Sequence, residues 1–211
     1  MRAFLLALVV LLAGCGKPTE TATAATGRAT LMVASERDSD VMVFIAFGAD
    51  SAITGWPACP PTTRLNCQFS LAQKAAVTLP LGGKYLNATL AVGKAPGCGT
   101  TKAELNLNNP RWYDVVDISL VDGFDSAMGM TVAEGGHRTV LGPVTSSSGN
   151  EKALGVFPLG CDVCTAREHP PCGLIPGKDG CKAGTQYKPD VPCQIQGATK
   201  GGGLAVTVSV R

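Results

Sequence analysis

The chain has 211 residues, of which 45% are hydrophobic, 16% charged and 5% aromatic, and its formal net charge is +2. That apolar share excludes a disordered chain, and 26 Gly and 14 Pro spread throughout exclude a coiled coil. A near-neutral balance without a concentrated basic face argues against a nucleic-acid-binding module. Nine cysteines, an odd number, are the feature to explain.

The chain opens Met1-Arg2 and then runs apolar from Ala3 to Ala13. One positive charge before a short apolar run is a secretory signal pattern, and the run falls short of the roughly 20 residues a bilayer span needs. It ends Leu12-Ala13-Gly14-Cys15, which resembles the lipobox of bacterial lipoproteins. The resemblance implies a signal peptide over 1–14 and a Cys15 whose thiol takes a diacylglycerol and further acyl chains such as palmitate. Two or more chains give stable membrane attachment. The competing reading is an ordinary signal peptide followed by a chance cysteine. Removing 1–14 takes away Arg2 and leaves 17 basic against 16 acidic side chains. Gly16-Lys17 follows with no Asp after the cysteine, a pattern similar to outer-membrane sorting. The expected place is therefore the bacterial cell envelope, lipid-anchored at the outer membrane, on its periplasmic or surface face. Residues 15–28 are small, polar and aperiodic and read as a lipidated tether.

From residue 29 onward the pattern is β. Ala29–Val33 and Val41–Phe47 are apolar and β-branched, Ala76–Leu79 stops at Pro80, and Leu86–Val92 follows the Gly82-Gly83 turn. Val115–Leu120 runs into the turn signal Val121-Asp122-Gly123. Leu204–Val210 alternates strictly, with Leu204, Val206, Val208 and Val210 on one face. Gly201-Gly202-Gly203 before it reads as a flexible turn. No segment carries a well-capped helical pattern, so the expected class is an all-β sandwich or barrel. Once Cys15 is set aside, Cys59, Cys67, Cys98, Cys161, Cys164, Cys172, Cys181 and Cys193 are left. An even count in an exported chain reads as four disulfides, with 105 pairings open. Five of these eight fall in 161–193, a Gly- and Pro-rich stretch with little apolar periodicity. A stapled loop subdomain over about 155–200 is expected there, beside the sandwich of domain 29–211.

One segment is distinctive: Tyr113-Asp114-Val115-Val116-Asp117-Ile118-Ser119-Leu120-Val121-Asp122-Gly123-Phe124, with Met128 beyond it. It resembles the signature of thaumatin-like proteins. Cys98-Gly99-Thr100-Thr101-Lys102-Ala103-Glu104-Leu105 is similar to the family's cysteine-glycine turn and following strand. Ala29–Leu31 with Val41–Phe44 is similar to its first hairpin, and Val206–Val208 to its last strand. The resemblance implies a flattened β-sandwich of about eleven strands with a disulfide-rich loop subdomain. It also implies an acidic cleft. Carried over by motif, Glu104, Asp117 and Asp122 stand for the cleft acids, and Asp190 for a further one. The family's cleft Arg has no counterpart in the alignment, and losing it removes a positive partner that keeps clustered carboxylates ionised. The family's bridge between first and last strands falls on Arg37 and Ser209, so both halves are missing. Asp125 stands where the family has Asn.

An acid cluster can bind sugar hydroxyls, bind a cation, or perform acid–base work on a glycosidic bond, for which two carboxyls must sit about 5–5.5 Å or 6.5–9.5 Å apart. Strand alternation sets Asp117 and Asp122 on opposite faces, so the chain must turn or bulge before Asp122 for them to converge. The alternative is that Asp122-Gly123 is turn chemistry and Asp117 a solvated strand residue. Trp56, Trp112 and Tyr113 could stack on sugar rings, with packing the default for two of the three; Tyr113 is taken as a ligand-binding candidate. Cys161-x-x-Cys164 with His169 and Cys172 has metal-like spacing, but disulfides are the better reading in an exported chain. His137 reads as part of an exposed turn. No cofactor and no metal is expected.

Three functions stay open. The first is a surface-anchored lipoprotein, monomeric, that binds a neutral polysaccharide such as a β-glucan through its acidic cleft in a defence or cell-surface role. The second is a weak endo-β-1,3-glucanase-like hydrolase using Glu104 with Asp117 or Asp122. The third is a structural or protein-interaction lipoprotein without a ligand.

Overall fold

The computed structural model describes residues 28–57, 59, 61–63, 66–150, 152–162, 167–168 and 191–211. Every regular element among them is a strand. The smaller sheet has the order β10 (His137–Val144), β9 (Met128–Glu134), β15 (Ala205–Val210), β1 (Thr30–Ser35) and β5 (Ala76–Leu79). The larger has the order β11 (Val156–Phe157), β8 (Tyr113–Ser119), β7 (Lys102–Leu107), β6 (Leu86–Val92), β2 (Val41–Phe47), β4 (Asn66–Leu71) and β3 (Pro61–Thr63). The free edge of β8 is shared, since β14 (Ile195–Lys200) pairs with its first half and β11 with its second. A short ribbon joins β12 (Cys161–Asp162) to β13 (Arg167–Glu168).

One core lies between the two sheets. Leu31 and Val33 of β1, Met130 and Val132 of β9, and Val206, Val208 and Val210 of β15 face inward from the smaller sheet. Val43, Ile45, Leu90, Leu105, Val116 and Ile118 meet them from the larger one. All are buried, and each contributes about 1.5–3 kcal/mol relative to exposure. The residues between them in sequence face out, which is why Thr, Ser, Asn and charged side chains alternate with the apolar ones.

This is the all-β sandwich the sequence implies. Val41–Phe47, Ala76–Leu79 and Leu86–Val92 coincide with β2, β5 and β6, while β1, β8 and β15 are displaced by one or two residues from expectation. The alternation reading passes over β4, β7, β9, β10 and β14: Gly interrupts the pattern in β9, β10 and β14, while β4 and β7 do alternate polar and apolar residues. His137 opens β10 and is exposed, just past the Gly135-Gly136 turn.

Among the cysteines, Cys59 and Cys67 form a disulfide with Cα atoms 5.4 Å apart, at the β3–β4 hairpin. Cys98 and Cys193 each take part in a disulfide as well. Cys15, Cys164, Cys172, Cys181 and Asp190, like the signal, the lipobox and His169, lie outside the described residues. β1 and β15 run parallel in register, with Ser209 opposite Ala34. Where the resemblance implies a disulfide, an ion pair closes the same ends: the Arg211 guanidinium donates to both Glu36 carboxylate oxygens, at 3.0 and 3.2 Å. Both side chains are partly exposed, so the pair contributes at most about 1 kcal/mol, less than a typical disulfide.

The ends of five strands meet at a buried polar node. Asp114 is fully buried and its carboxylate accepts the N–H of Asn108 at 2.6 Å and of Leu204 at 3.0 Å. Asn108, in the left-handed region at φ 55°, accepts the Ala29 N–H at 2.7 Å and donates to the Lys84 carbonyl at 3.2 Å. The node thus joins the approaches to β1, β6 and β15 to the β7–β8 turn. It also corrects, at Gly202 and Gly203, the reading of Gly201-Gly202-Gly203 as a flexible turn. A Cβ on Gly202 would come within 2.3 Å of Asn108 Oδ1, and one on Gly203 within 2.7 Å of Glu134 Oε1. Gly202 and Gly203 are there because backbone presses against side-chain oxygen, while the space beside Gly201 is open.

Burial pushes the Asp114 carboxyl above its ordinary range; the amide hydrogen bonds from Leu204, Asn108 and Gly203 pull it down, and the Glu134 charge adds to the rise. The folded protein therefore keeps this proton at pH values where the unfolded chain has released it. Its contribution to stability is complete below the unfolded value of about 3.9 and declines as pH rises through the folded-state value. Asp114→Ala, which strands buried N–H donors, is expected to cost about 3 kcal/mol. In urea unfolding the gap from wild type should be widest near pH 4 and narrow toward pH 7; a gap that widens with pH would contradict the sign.

Candidate functional site

The outward face of the larger sheet carries the sequence-predicted acids. In the β7–β8 register Glu104 stands opposite Asp117, and in the β6–β7 register it stands opposite Thr89. Directly paired residues on one face have Cβ atoms about 4.5–5.5 Å apart. Glu104 and Asp117 therefore sit side by side. They line a cleft of about 410 Å³ with Asn87, Thr89, Asn106, Ala46 and Gly48. Glu104 is half-exposed and Asp117 is buried. Asp117 is thus not a solvated strand residue.

Asp122 reaches the same neighbourhood by a different route. β8 ends at Ser119 and the chain turns at Val121-Asp122, so strand alternation no longer governs Asp122. The turn is clamped by glycine-on-glycine packing. The Gly99 N–H donates to the Asp122 carbonyl at 2.8 Å, and a Cβ on Gly123 would lie 2.4 Å from the Gly99 Cα. Gly123, at φ 146°, is the residue that permits this approach. Asp125 completes the clamp by accepting the Thr101 N–H at 2.9 Å.

A cation from β7 meets two of these acids. Lys102 is buried to its ammonium group, which bridges Asp122 Oδ2 and lies 4.0 Å from Glu104 Oε1. Lys102 and Glu104 are two apart on one strand and so share a face, a relation present in the sequence but easily read as ordinary surface charge. Glu104 and Asp117 line the cleft directly, whereas Asp122 sits behind Lys102 and does not. Tyr113 is on the same face of β8, but its ring packs edge-on to Trp112 at 5.5 Å and under the Lys200 ammonium at 5.6 Å, rather than lining the cleft. Trp56 is a core residue whose indole donates to the Pro80 carbonyl.

Sequence reasoning also passes over the amides. Asn87 donates to Asp50 at 2.7 Å, Asp50 accepts from the Tyr85 hydroxyl at 3.2 Å, and Asn106 donates to that hydroxyl at 2.8 Å. The Asn87 hydrogen bond holds the Asp50 carboxyl below its usual range, and burial pushes the Tyr85 phenol up. The cleft therefore combines carboxylate acceptors with amide groups that both donate and accept. Among the described residues no group of three or more His, Cys, Asp or Glu is arranged to hold a metal ion.

No protein-family model matches the chain, and no curated protein matches it. Among solved structures the chain is similar to the thaumatin-like xylanase inhibitor TLXI, at 13% identity and a TM-score of 0.42, over 85% of this chain and 97% of the other. It is also similar to the protein elicitor MoHrip2 from Magnaporthe oryzae, at 11% identity and a TM-score of 0.40, over 86% and 98%.

Lys102→Met is expected to destabilise the fold by about 1–2 kcal/mol in denaturant titration, since it leaves two neighbouring carboxylates without their shared cation. Lys102→Arg should restore most of the loss; equal losses for both variants would show that packing of the side chain matters rather than its charge.

Proposed function

We propose that the protein is a thaumatin-like, lipid-anchored binding protein of the bacterial cell envelope whose cleft takes a neutral glycan such as a β-glucan. The observation that carries the ligand reading is the cleft of Glu104 and Asp117, ringed by Asn87, Thr89 and Asn106. A sugar presents hydroxyls that each donate and accept. Carboxylates accept from them, amides and the threonine hydroxyl do both, and a neutral ligand brings no charge that Lys102 and the acids would have to rearrange around. Family membership rests on the segment 113–128, on Cys98–Leu105 and on the two-sheet sandwich.

The test mixes purified protein with insoluble β-1,3-glucan and measures both retention and released reducing sugar. Retention without release is expected, and Glu104→Gln should weaken it about tenfold, the size of a hydrogen bond to a charged group. Release of sugar that vanishes in Glu104→Gln would favour a weak hydrolase instead. No retention on any polysaccharide would leave a structural or interaction role.

The anchor rests on the run Ala3–Ala13 and on Leu12-Ala13-Gly14-Cys15, and it is tested separately. In a bacterial host, wild type should take up labelled palmitate and sediment with membranes. Cys15→Ser should take up none and move to the soluble fraction, and unchanged sedimentation would refute acylation at this residue.

A further inference from the structure

A second concavity, about 480 Å³, adjoins the first and is lined by Asp50, Tyr85, Asn109, Pro110, Arg111 and Trp112. The two are joined by side chains that hydrogen-bond in series. Asn87 and Asn106 of the first cleft hold Asp50 and Tyr85 of the second, and Asn109 donates to Asn106 at 3.1 Å. The indole of Trp112 is 52% exposed, the most exposed large hydrophobic side chain among the described residues. Its edge is braced by the Tyr113 ring, and Tyr113 in turn carries the Lys200 ammonium. An exposed, braced indole beside fixed polar groups is a stacking platform for a flat, partly apolar face with hydroxyl edges.

We propose that the Trp112 pocket is a second sugar subsite, and that the ligand is a neutral oligosaccharide lying across both concavities. This rests on the glycan reading of the Glu104–Asp117 cleft. Length supports an oligosaccharide over a single sugar. β8 takes four steps from Asp117 to Tyr113, about 14 Å at about 3.4 Å per residue, and Trp112 lies one residue further. One ring stacks on the indole with its hydroxyls on Asp50 and the Tyr85 hydroxyl. The asparagine series holds those groups in place before the ligand arrives, which lowers the cost of ordering them.

The experiment titrates wild type, Trp112→Ala, Tyr85→Phe and Glu104→Gln with β-1,3-linked glucose di- and hexasaccharides. Calorimetry gives affinity, and the indole N–H resonances of 15N-labelled protein report on Trp112. The hexasaccharide should bind wild type more tightly than the disaccharide and shift the Trp112 resonance. Trp112→Ala should weaken the hexasaccharide about three- to tenfold, the range for an aromatic contact, and leave the disaccharide unchanged. Tyr85→Phe should weaken the hexasaccharide by a smaller factor. Hexasaccharide binding that is untouched in Trp112→Ala, with no shift of the Trp112 resonance, overturns the subsite and leaves the cleft reading standing. A Trp112 shift that persists while Glu104→Gln has no effect overturns the cleft and leaves the subsite. Absence of binding by wild type at either length overturns both.

Discussion

A carboxylate with no exposure to solvent holds this sandwich together at the point where five strand ends converge. Asp114 lies at the start of β8, and its two oxygens take the N–H groups of Asn108 and Leu204, residues far apart in sequence. Those donors belong to turns where no ladder partner exists, and a buried N–H without a partner costs about 1–3 kcal/mol. Asn108 extends the node to Ala29 and Lys84. Parallel pairing of β1 with β15 thereby begins in a defined register, and with it the alignment of the core residues on both strands. Glu134 does a similar job nearer the surface. Its carboxylate accepts from the Ala198 and Thr199 amides at 2.6 and 3.0 Å and ties β14 of one sheet to β9 of the other.

The outward face of the larger sheet inherits its geometry from that frame. Once β7 and β8 are registered, Glu104 and Asp117 are neighbours, because facing residues on an antiparallel pair have little freedom to be elsewhere. Lys102 follows from the same alternation. Asp122 does not. Its position depends on two turns from opposite ends of the β7–β8 segment pressing backbone to backbone at Gly99 and Gly123. The result is an acidic site in which Lys102 pairs with Asp122 and lies beside Glu104, while Glu104 and Asp117 face the cleft.

Much of this is legible in the sequence. Strands with a clean apolar face, such as Val41–Phe47 and Leu86–Val92, can be bounded almost to the residue. Met128–Glu134 is hidden because glycine interrupts its alternation, whereas Lys102–Leu107 alternates polar and apolar residues and was indicated only through the motif resemblance. The candidate acids were legible through motif resemblance, not through chemistry visible in the sequence. The cation was not, since a lysine two residues from a glutamate is indistinguishable from solvated surface charge until its burial is known. The packing of Gly202 and Gly203 is hidden in the sequence for a related reason. Glycine signals freedom in an open turn and tight contact in a packed one, and only the neighbouring atoms distinguish them.

Composition and local pattern by themselves determined an all-β chain and which residue types could meet in a cleft; the lipid-anchored leader is an expectation from the same pattern. Period-two alternation and turn residues carry that information because they act over a few neighbouring residues. Tertiary structure alone decided which acids face each other, that Asp122 and Glu104 share the Lys102 ammonium, that an ion pair from Arg211 to Glu36 closes the strand ends, and that Trp112 stands exposed beside the cleft while Trp56 is buried. Those outcomes depend on strand register, turn packing and burial, which join residues tens of positions apart and leave no trace in the spacing of either partner.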